Sequence, residues 1–181
     1  PRVLCVSCVG AALSLCGAAM QGLLRNPLAE GSTLGASSGA SLGAVISMVF
    51  ITSIPALNTL QSYGMVPFAI LFALLSILLV MGISYKIDCN FSTQTIILVG
   101  VVFGMFATSI ISLITVFAGN KVKTIIFWTM GSLDGVGYPQ FILILVTLAI
   151  VSFFINHLAR ELNAFSISED HANSIGVNVR S

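Results

Sequence analysis

The sequence of 181 residues is 57% hydrophobic and 7% charged, and its formal net charge is +1. Soluble domains carry about 25% charged residues, so this composition excludes a protein that faces water over most of its surface. The small net charge and the lack of a basic tract argue against a nucleic-acid partner. Cys5, Cys8 and Cys16 have no accompanying histidine or carboxylate. We interpret them as small buried apolar residues and predict no metal site and no cofactor.

Long charge-free runs predict the membrane spans. A helix needs roughly 20 apolar residues to cross a bilayer, and the runs predict five spans, at about residues 3–23, 33–51, 67–84, 93–117 and 140–158. The apolar piece at residues 124–130 is too short to cross, so we interpret it as an interfacial or partly inserted half-helix. The predicted fold is an all-α, polytopic transmembrane helical bundle at residues 1–158, followed by a polar segment at residues 159–181.

The break between the first two predicted spans carries the turn residues of this region. Asn26 precedes Pro27, and a residue before proline avoids the helical conformation. We therefore predict that Gln21, Arg25, Asn26 and Pro27 belong to a tight turn between two packed spans.

Small residues recur every fourth position in two of the predicted spans. Gly35, Gly39 and Gly43 do so in the second span, and Gly100 and Gly104 in the fourth. On a helix this spacing leaves a smooth face that another membrane helix can approach closely. The five glycines are predicted helix-packing positions.

Two further segments carry helix-start signals. Ser92 and Thr93 are placed to cap the first N–H groups of the fourth span, as short hydroxyl side chains do. In the polar segment, Ser166 and Glu169 match a capping box, and Gly176 is a plausible helix C-terminus. They predict a short amphipathic helix outside the membrane, at about residues 167–175.

The sequence also lacks the residues that two kinds of energy coupling need. None of the three lysines follows a glycine, so there is no Gly-Lys-[Ser/Thr] phosphate loop, and we predict that the chain is not itself an ATPase or other enzyme. The predicted spans contain no chain of carboxylates or histidines that could relay protons. Transport energy is therefore expected to come from a partner.

At this point the chain resembles a known family. The run MQGLLRNPLAEGSTLGASSGASLGA at residues 20–44 is similar to the signature of FecCD-type permeases. These are the membrane subunits of ABC importers for iron–siderophore complexes, haem and vitamin B12. Further matches follow in the family's order, at FSTQTIILVG, at WTMGSL and at a spaced pattern over residues 162–177. The resemblance runs through essentially the whole chain.

The resemblance implies a ten-helix permease, of which this chain would supply helices two to six and the start of a cytoplasmic coupling loop. We expect the sequence to be a fragment, since it begins at Pro1 and ends just after a polar segment. The implied function is ATP-driven import of an iron–siderophore or similar metal chelate by alternating access, across the cytoplasmic membrane of a bacterium. The residues alone leave a secondary transporter or channel subunit, or a structural membrane scaffold, as alternatives.

The implied partners are an ATP-binding cassette ATPase subunit, an external substrate-binding protein, a second permease copy or a paralogue, and membrane lipid. The resemblance gives Arg2 a docking role toward carboxylates of the binding protein, which an arginine can bind in bidentate fashion. The alternative for Arg2 is a snorkelling interfacial anchor. The resemblance also places the Arg25 turn and residues 159–181 on the cytoplasmic side, which the charge distribution alone does not decide.

Three more sets of residues receive roles from the resemblance. Ser92 and Thr93 would form the cytoplasmic gate of the pathway, and Lys121 and Lys123 would accompany a half-helix at its outer mouth, where solvated loop charges are the alternative. The coupling segment would dock into the ATPase, although a helix lying on the bilayer is its alternative. Its residues are Ser168, where the family usually has glycine, and Glu169, Asp170, His171, Ala172, Ile175 and Gly176.

Overall fold

The computed structural model describes residues 1–50, 65–89, 92–133 and 135–167. The helices of these ranges are α1 (Arg2–Leu24), α2 (Ala36–Phe50), α3 (Met65–Ile87), α4 (Thr93–Phe117), α5 (Val122–Met130), α6 (Tyr138–His157) and α7 (Ala159–Ile167). A 3₁₀ turn, Gly119–Lys121, precedes α5. The predicted bundle of helices is confirmed.

Four of these helices, α1, α3, α4 and α6, are long and apolar enough to cross a membrane. Their outward faces carry large apolar side chains, such as Leu78 at 69% exposure and Val116 at 76%. Such faces suit hydrocarbon as the surrounding solvent, because a helix satisfies its own backbone N–H and C=O groups. The chain is therefore a multi-pass membrane protein.

The second predicted span differs from the other four. Its described part, Ala36–Phe50, contains 15 residues, and residues 51–64 lie outside the described ranges. It begins three residues later than predicted, at Ala36, because Gly35 has φ +74° and cannot continue a right-handed helix toward the N-terminus. Residues 32–35 form turns instead.

The chain divides into two compact units. In the unit formed by Pro1–Gly31 and Leu133–Ser181, α1 packs against α6 and α7, and an apolar cavity of about 320 Å³ lies between α1 and α6. In the unit Ser32–Ser132, α2 packs against α3 and α4, which also contact each other. The half-helix α5 contacts α2 and α4.

A small apolar core fixes α5 within the second unit. Val45 and Met48 of α2 are buried together with Ile125 of α5. Partly buried side chains from α4 and α5, among them Ile111 and Trp128, pack around this cluster. The half-helix is therefore held by side-chain packing along its α2-facing side.

Gly39 and Gly43 bring α2 against the backbone of α3. A β-carbon on Gly43 would lie 2.6 Å from the carbonyl oxygen of Phe68, and one on Gly39 would lie 2.8 Å from that of Phe72. Both distances are shorter than a carbon and an oxygen can adopt without a shift. Any larger residue at either position must push the two helices apart.

Gly100 and Gly104 serve the same purpose on α4, but toward a different surface. A β-carbon on Gly100 would overlap the carbonyl group of Thr33, and one on Gly104 would lie 3.2 Å from the Ser38 hydroxyl. Gly35, predicted to share a helical ridge with Gly39 and Gly43, instead precedes the helix. The glycines of α2 face α3, whereas those of α4 face the start of α2.

The polar C-terminal segment contains a helix that the sequence pattern did not predict. α7 covers Ala159–Ile167 and has Glu161 in its first turn, where a carboxylate interacts favourably with the helix dipole. The amphipathic helix predicted at residues 167–175 lies outside the described residues, apart from its first position.

We predict that Gly43→Ala destabilises the protein, because its new methyl group must displace the Phe68 carbonyl or the Phe72 ring. Overpacking of this kind costs about 1–3 kcal/mol. Gly82→Ala on α3 is the matched control, since a β-carbon there has no neighbour within 4 Å. It should be neutral or slightly stabilising, since alanine favours helix. Thermal denaturation of the purified protein in detergent measures both, and an equal midpoint for the two variants would contradict the close-packing argument.

Candidate functional site

The chain leaves α1 through a tight turn whose backbone geometry depends on Arg25. Arg25 adopts a left-handed conformation with φ 46° and ψ 37°. The Asn26 N–H donates to the Gln21 carbonyl at 3.2 Å, and the Arg25 N–H donates to the Gly22 carbonyl at 3.4 Å. These two bonds are a Schellman motif, which satisfies carbonyls at the end of a helix.

The side chain of Asn26 organises the second half of this turn. Its Oδ1 atom accepts a hydrogen bond from the Leu28 N–H at 2.9 Å. Its backbone carbonyl accepts one from the Ala29 N–H at 3.0 Å, and Ala29 is buried. The turn predicted at Gln21, Arg25, Asn26 and Pro27 is thus present, and each of these residues belongs to it or borders it.

Arg2 and Arg25 mark the two ends of α1. Arg2 is the first residue of the helix and is exposed. A helix of 23 residues rises about 34 Å, enough to cross the hydrocarbon core. The two arginines therefore lie on opposite sides of the membrane. α7 is near the Arg25 end, where a β-carbon on Gly22 would lie 3.9 Å from the Leu162 carbonyl oxygen.

Ser92 occupies the N-cap position of α4, as predicted, but does not make the capping bond that we expected. Its hydroxyl instead pairs with the Thr95 hydroxyl at 2.8 Å. Thr93 is the first residue of the helix proper. Both proposed gate residues are half-buried, and they lie at the start of α4.

The half-helix lies at the opposite end of α4 from Ser92 and Thr93. Lys121, in the 3₁₀ turn before α5, donates a hydrogen bond from Nζ to the Val49 carbonyl at 3.0 Å. Val49 belongs to α2. Lys123 is exposed, and its Nζ atom lies 5.9 Å from the centre of the Phe127 ring. The two lysines therefore have different environments, and only Lys121 joins α5 to α2 through the Val49 carbonyl.

Sequence reasoning missed one buried polar residue, Ser76 of α3. The Ser76 hydroxyl, at 3% exposure, shares its single hydrogen between the Gly35 carbonyl at 3.1 Å and the Ala73 carbonyl at 2.7 Å. It gives the non-helical backbone before α2 a hydrogen-bond donor inside the membrane, where water cannot supply one. A single serine among Leu, Ile and Phe residues gave no pattern from which to predict this role.

The coupling residues proposed from the sequence cannot be placed in the same way. Ser168, Glu169, Asp170, His171, Ala172, Ile175 and Gly176 lie outside the described residues.

Comparisons with known proteins agree on one family. The FecCD transport family model matches residues 1–181. The uncharacterized ABC transporter permease protein YvrB of Bacillus subtilis is 37% identical over 99% of this chain and 50% of its own length. The cobalamin import system permease protein BtuC of Halobacterium salinarum is 31% identical over 99% and 46%. The molybdate import system permease protein MolB of Haemophilus influenzae is 30% identical over 98% and 50%.

One solved structure gives the same result in three dimensions. An ABC transporter assigned to the metal-chelate type, in an inward-facing conformation, matches with a TM-score of 0.84 and 29% sequence identity. The match covers 98% of this chain and 54% of that one, so the chain spans about half the length of the proteins it matches. Because one family model accounts for the sequence from end to end and a solved transporter shares its helical arrangement, the chain belongs to the FecCD transport family.

Proposed function

We propose that this chain is part of the membrane-spanning permease subunit of an ATP-driven importer, which moves its solute by alternating access. The observation that carries the proposal is the family match over residues 1–181. The TM-score of 0.84 to a transporter assigned to the metal-chelate type supports it. Within the chain, residues 1–158 would form the transmembrane part, and residues 159–181 the start of the cytoplasmic coupling loop.

For the transported solute, we propose a metal chelate, and within that class an iron–siderophore complex. Relatives are named for cobalamin and molybdate import, which shows that the family handles metal-containing solutes of several kinds. The spans α1, α4 and α6 carry no charged side chain beyond Arg2. An uncharged lining suits a chelate, because its organic shell already surrounds the metal and reduces the need for protein ligands.

The energy for transport would come from a partner ATPase that binds residues 168–176. α7 leads directly into this segment and lies near the Arg25 end of α1, so the segment follows from the membrane side opposite Arg2. An outward-facing Arg2 and a cytoplasmic ATPase are therefore compatible with one orientation of the chain. A second permease copy or paralogue would complete the pathway.

At the outer side, we propose that α5 acts as a movable half-helix at the mouth of the pathway. It is short, its buried side chain is Ile125, and Lys121 in the turn before it bonds to Val49 of α2. Ser92 and Thr93, at the far end of α4, would form the inner constriction. One rigid helix would then connect the two gates.

The first prediction concerns ATPase coupling by the complete permease. The double variant Glu169→Lys with Ala172→Arg should lose capture of the partner ATPase, because it reverses charge and adds bulk on the segment proposed to dock, residues 168–176. Glu161→Lys with Asn163→Arg makes the same change in charge and bulk on α7 and should retain capture. Co-purification from membranes measures both. If the wild type captures no ATPase at all, the importer proposal fails and a secondary transporter or channel replaces it.

The second prediction concerns docking of the external binding protein. Arg2→Glu should weaken its binding at least about tenfold, the usual result of breaking a buried charge pair at an interface, and the wild-type affinity should fall with salt. Lys123→Glu changes the net charge equally, at a lysine proposed to lie on the same side. Equal weakening by the two variants would show a general charge effect and remove the docking role from Arg2.

The third prediction concerns the attachment of α5. Lys121→Met removes a charged hydrogen bond to a half-buried carbonyl, an interaction worth about 1.5–3 kcal/mol, so amide exchange in Val122–Met130 should accelerate. Lys121→Arg should restore slow exchange, and Lys123→Met should leave it unchanged because that lysine is exposed. Hydrogen–deuterium exchange in lipid nanodiscs measures all three. Unchanged exchange in Lys121→Met would mean that apolar packing alone holds the half-helix.

A further inference from the structure

A cavity lined mainly by hydroxyl groups lies among α2, α4 and α5. Its volume is about 280 Å³, and its lining residues are Ser37, Ser38, Ser41, Thr108, Ile111 and Thr129. Five of these six side chains carry a hydroxyl group, and none is charged. The cavity lies where the first turns of α2 meet the middle of α4 and the C-terminal end of α5.

The hydroxyl groups on the two sides of this cavity have different partners. On α4 and α5 they bond to their own helices: Thr108 donates to the Gly104 carbonyl at 2.8 Å, and Thr129 donates to the Ile125 carbonyl at 3.0 Å. This is the usual way in which a membrane helix satisfies a hydroxyl group. Among the residues that the structure describes, the Ser37, Ser38 and Ser41 side chains make no such bond.

A hydrocarbon chain is a poor occupant for this cavity. It would leave the three serine hydroxyls of α2 without partners in an apolar medium, which is unfavourable. A polar occupant satisfies the serine hydroxyls.

We infer that this cavity is hydrated in the membrane and is a binding site for neutral hydrogen-bonding groups, such as the hydroxyls and amides of a solute. A volume of about 280 Å³ holds several water molecules at about 30 Å³ each. Serine hydroxyls both donate and accept, so they bind such groups without selecting donors over acceptors. The uncharged lining provides no counterion, so the site does not favour ions.

The chain contains a natural contrast to this cavity. The cavity between α1 and α6 is of similar size, about 320 Å³, but is lined mainly by Ala, Leu, Ile and Val side chains, together with Cys16, Met20 and Thr147. Its lining hydroxyl, that of Thr147, donates to the Leu143 carbonyl of its own helix at 2.8 Å. Apolar cavities of this kind stay dry. Cys16 lines this cavity but is exposed, so the prediction that it is buried was wrong, whereas Cys5 is buried. Cys16 therefore provides a cysteine beside an apolar lining.

Thiol labelling of the complete permease in proteoliposomes tests the inference. All cysteines are replaced by alanine, and one is then returned at Ser41, at Ser47 or at Cys16. The probe is hydroxyethyl methanethiosulfonate, a neutral, water-soluble reagent that reacts with the thiolate, which forms only where water reaches the sulfur. Ser47→Cys is the matched control, because Ser47 lies on the same helix but is 3% exposed and outside the cavity.

We expect Ser41→Cys to react roughly tenfold faster or more than Ser47→Cys and Cys16, because membrane-embedded thiols without water stay protonated. We also expect it to favour the neutral reagent over its trimethylammonium and sulfonate analogues, after correction for their reactivity with free thiol. A rate equal to the two controls would overturn the hydration of the cavity. Equal corrected rates for all three reagents would overturn its preference for neutral groups. Labelling requires neither ATPase binding nor transport, so these outcomes are independent of the proposed import function.

Discussion

The contact that the second unit depends on is the approach of α2 and its preceding turn to the backbones of α3 and α4. Inside a membrane the lipid is as apolar as the side chains, so helices associate through close van der Waals contact and hydrogen bonds. Gly39 and Gly43 allow this contact on α3, and Gly100 allows it on α4. Ser76 then supplies a hydrogen bond to the Gly35 carbonyl. Without these small residues, the non-helical backbone before α2 would lack cover at membrane depth.

The same contact determines where the candidate moving parts lie. α2 provides the Val49 carbonyl to which Lys121 attaches the start of α5. Its first turn leaves a cavity whose serine hydroxyls face Thr108 and Thr129. The break before α2, the half-helix and the hydroxyl-lined cavity are therefore consequences of one packing arrangement.

The unit formed by Pro1–Gly31 and Leu133–Ser181 distinguishes the two sides of the membrane. Arg2 and the Schellman turn at Arg25 lie at opposite ends of α1, and α7 packs near the turn. The proposed docking of the binding protein at Arg2 and the proposed coupling to the ATPase are therefore on opposite sides of the membrane. An importer that is loaded on one side and driven from the other requires this separation. The family membership is shown by the match over residues 1–181. The placement of Arg2 and α7 at opposite ends of α1 is consistent with the proposed importer function.

The sequence by itself determined the membrane environment, the helical class and most helix bounds. Runs of 20 or more apolar residues leave a chain few alternatives in lipid, and α4 coincides with its prediction at Thr93–Phe117. Local turn chemistry likewise predicted the turn at Asn26-Pro27. Only the tertiary structure decided that Gly35 stands outside α2, that Ser92 bonds Thr95 rather than capping α4, and that Ser76 and Lys121 bond to carbonyls of α2 and its preceding turn. The Ser76 and Lys121 bonds depend on which groups meet across helices distant in sequence, and periodicity within one helix does not encode the partner on another. The Ser92–Thr95 pair is local, but it depends on side-chain conformations that the residue types alone do not fix.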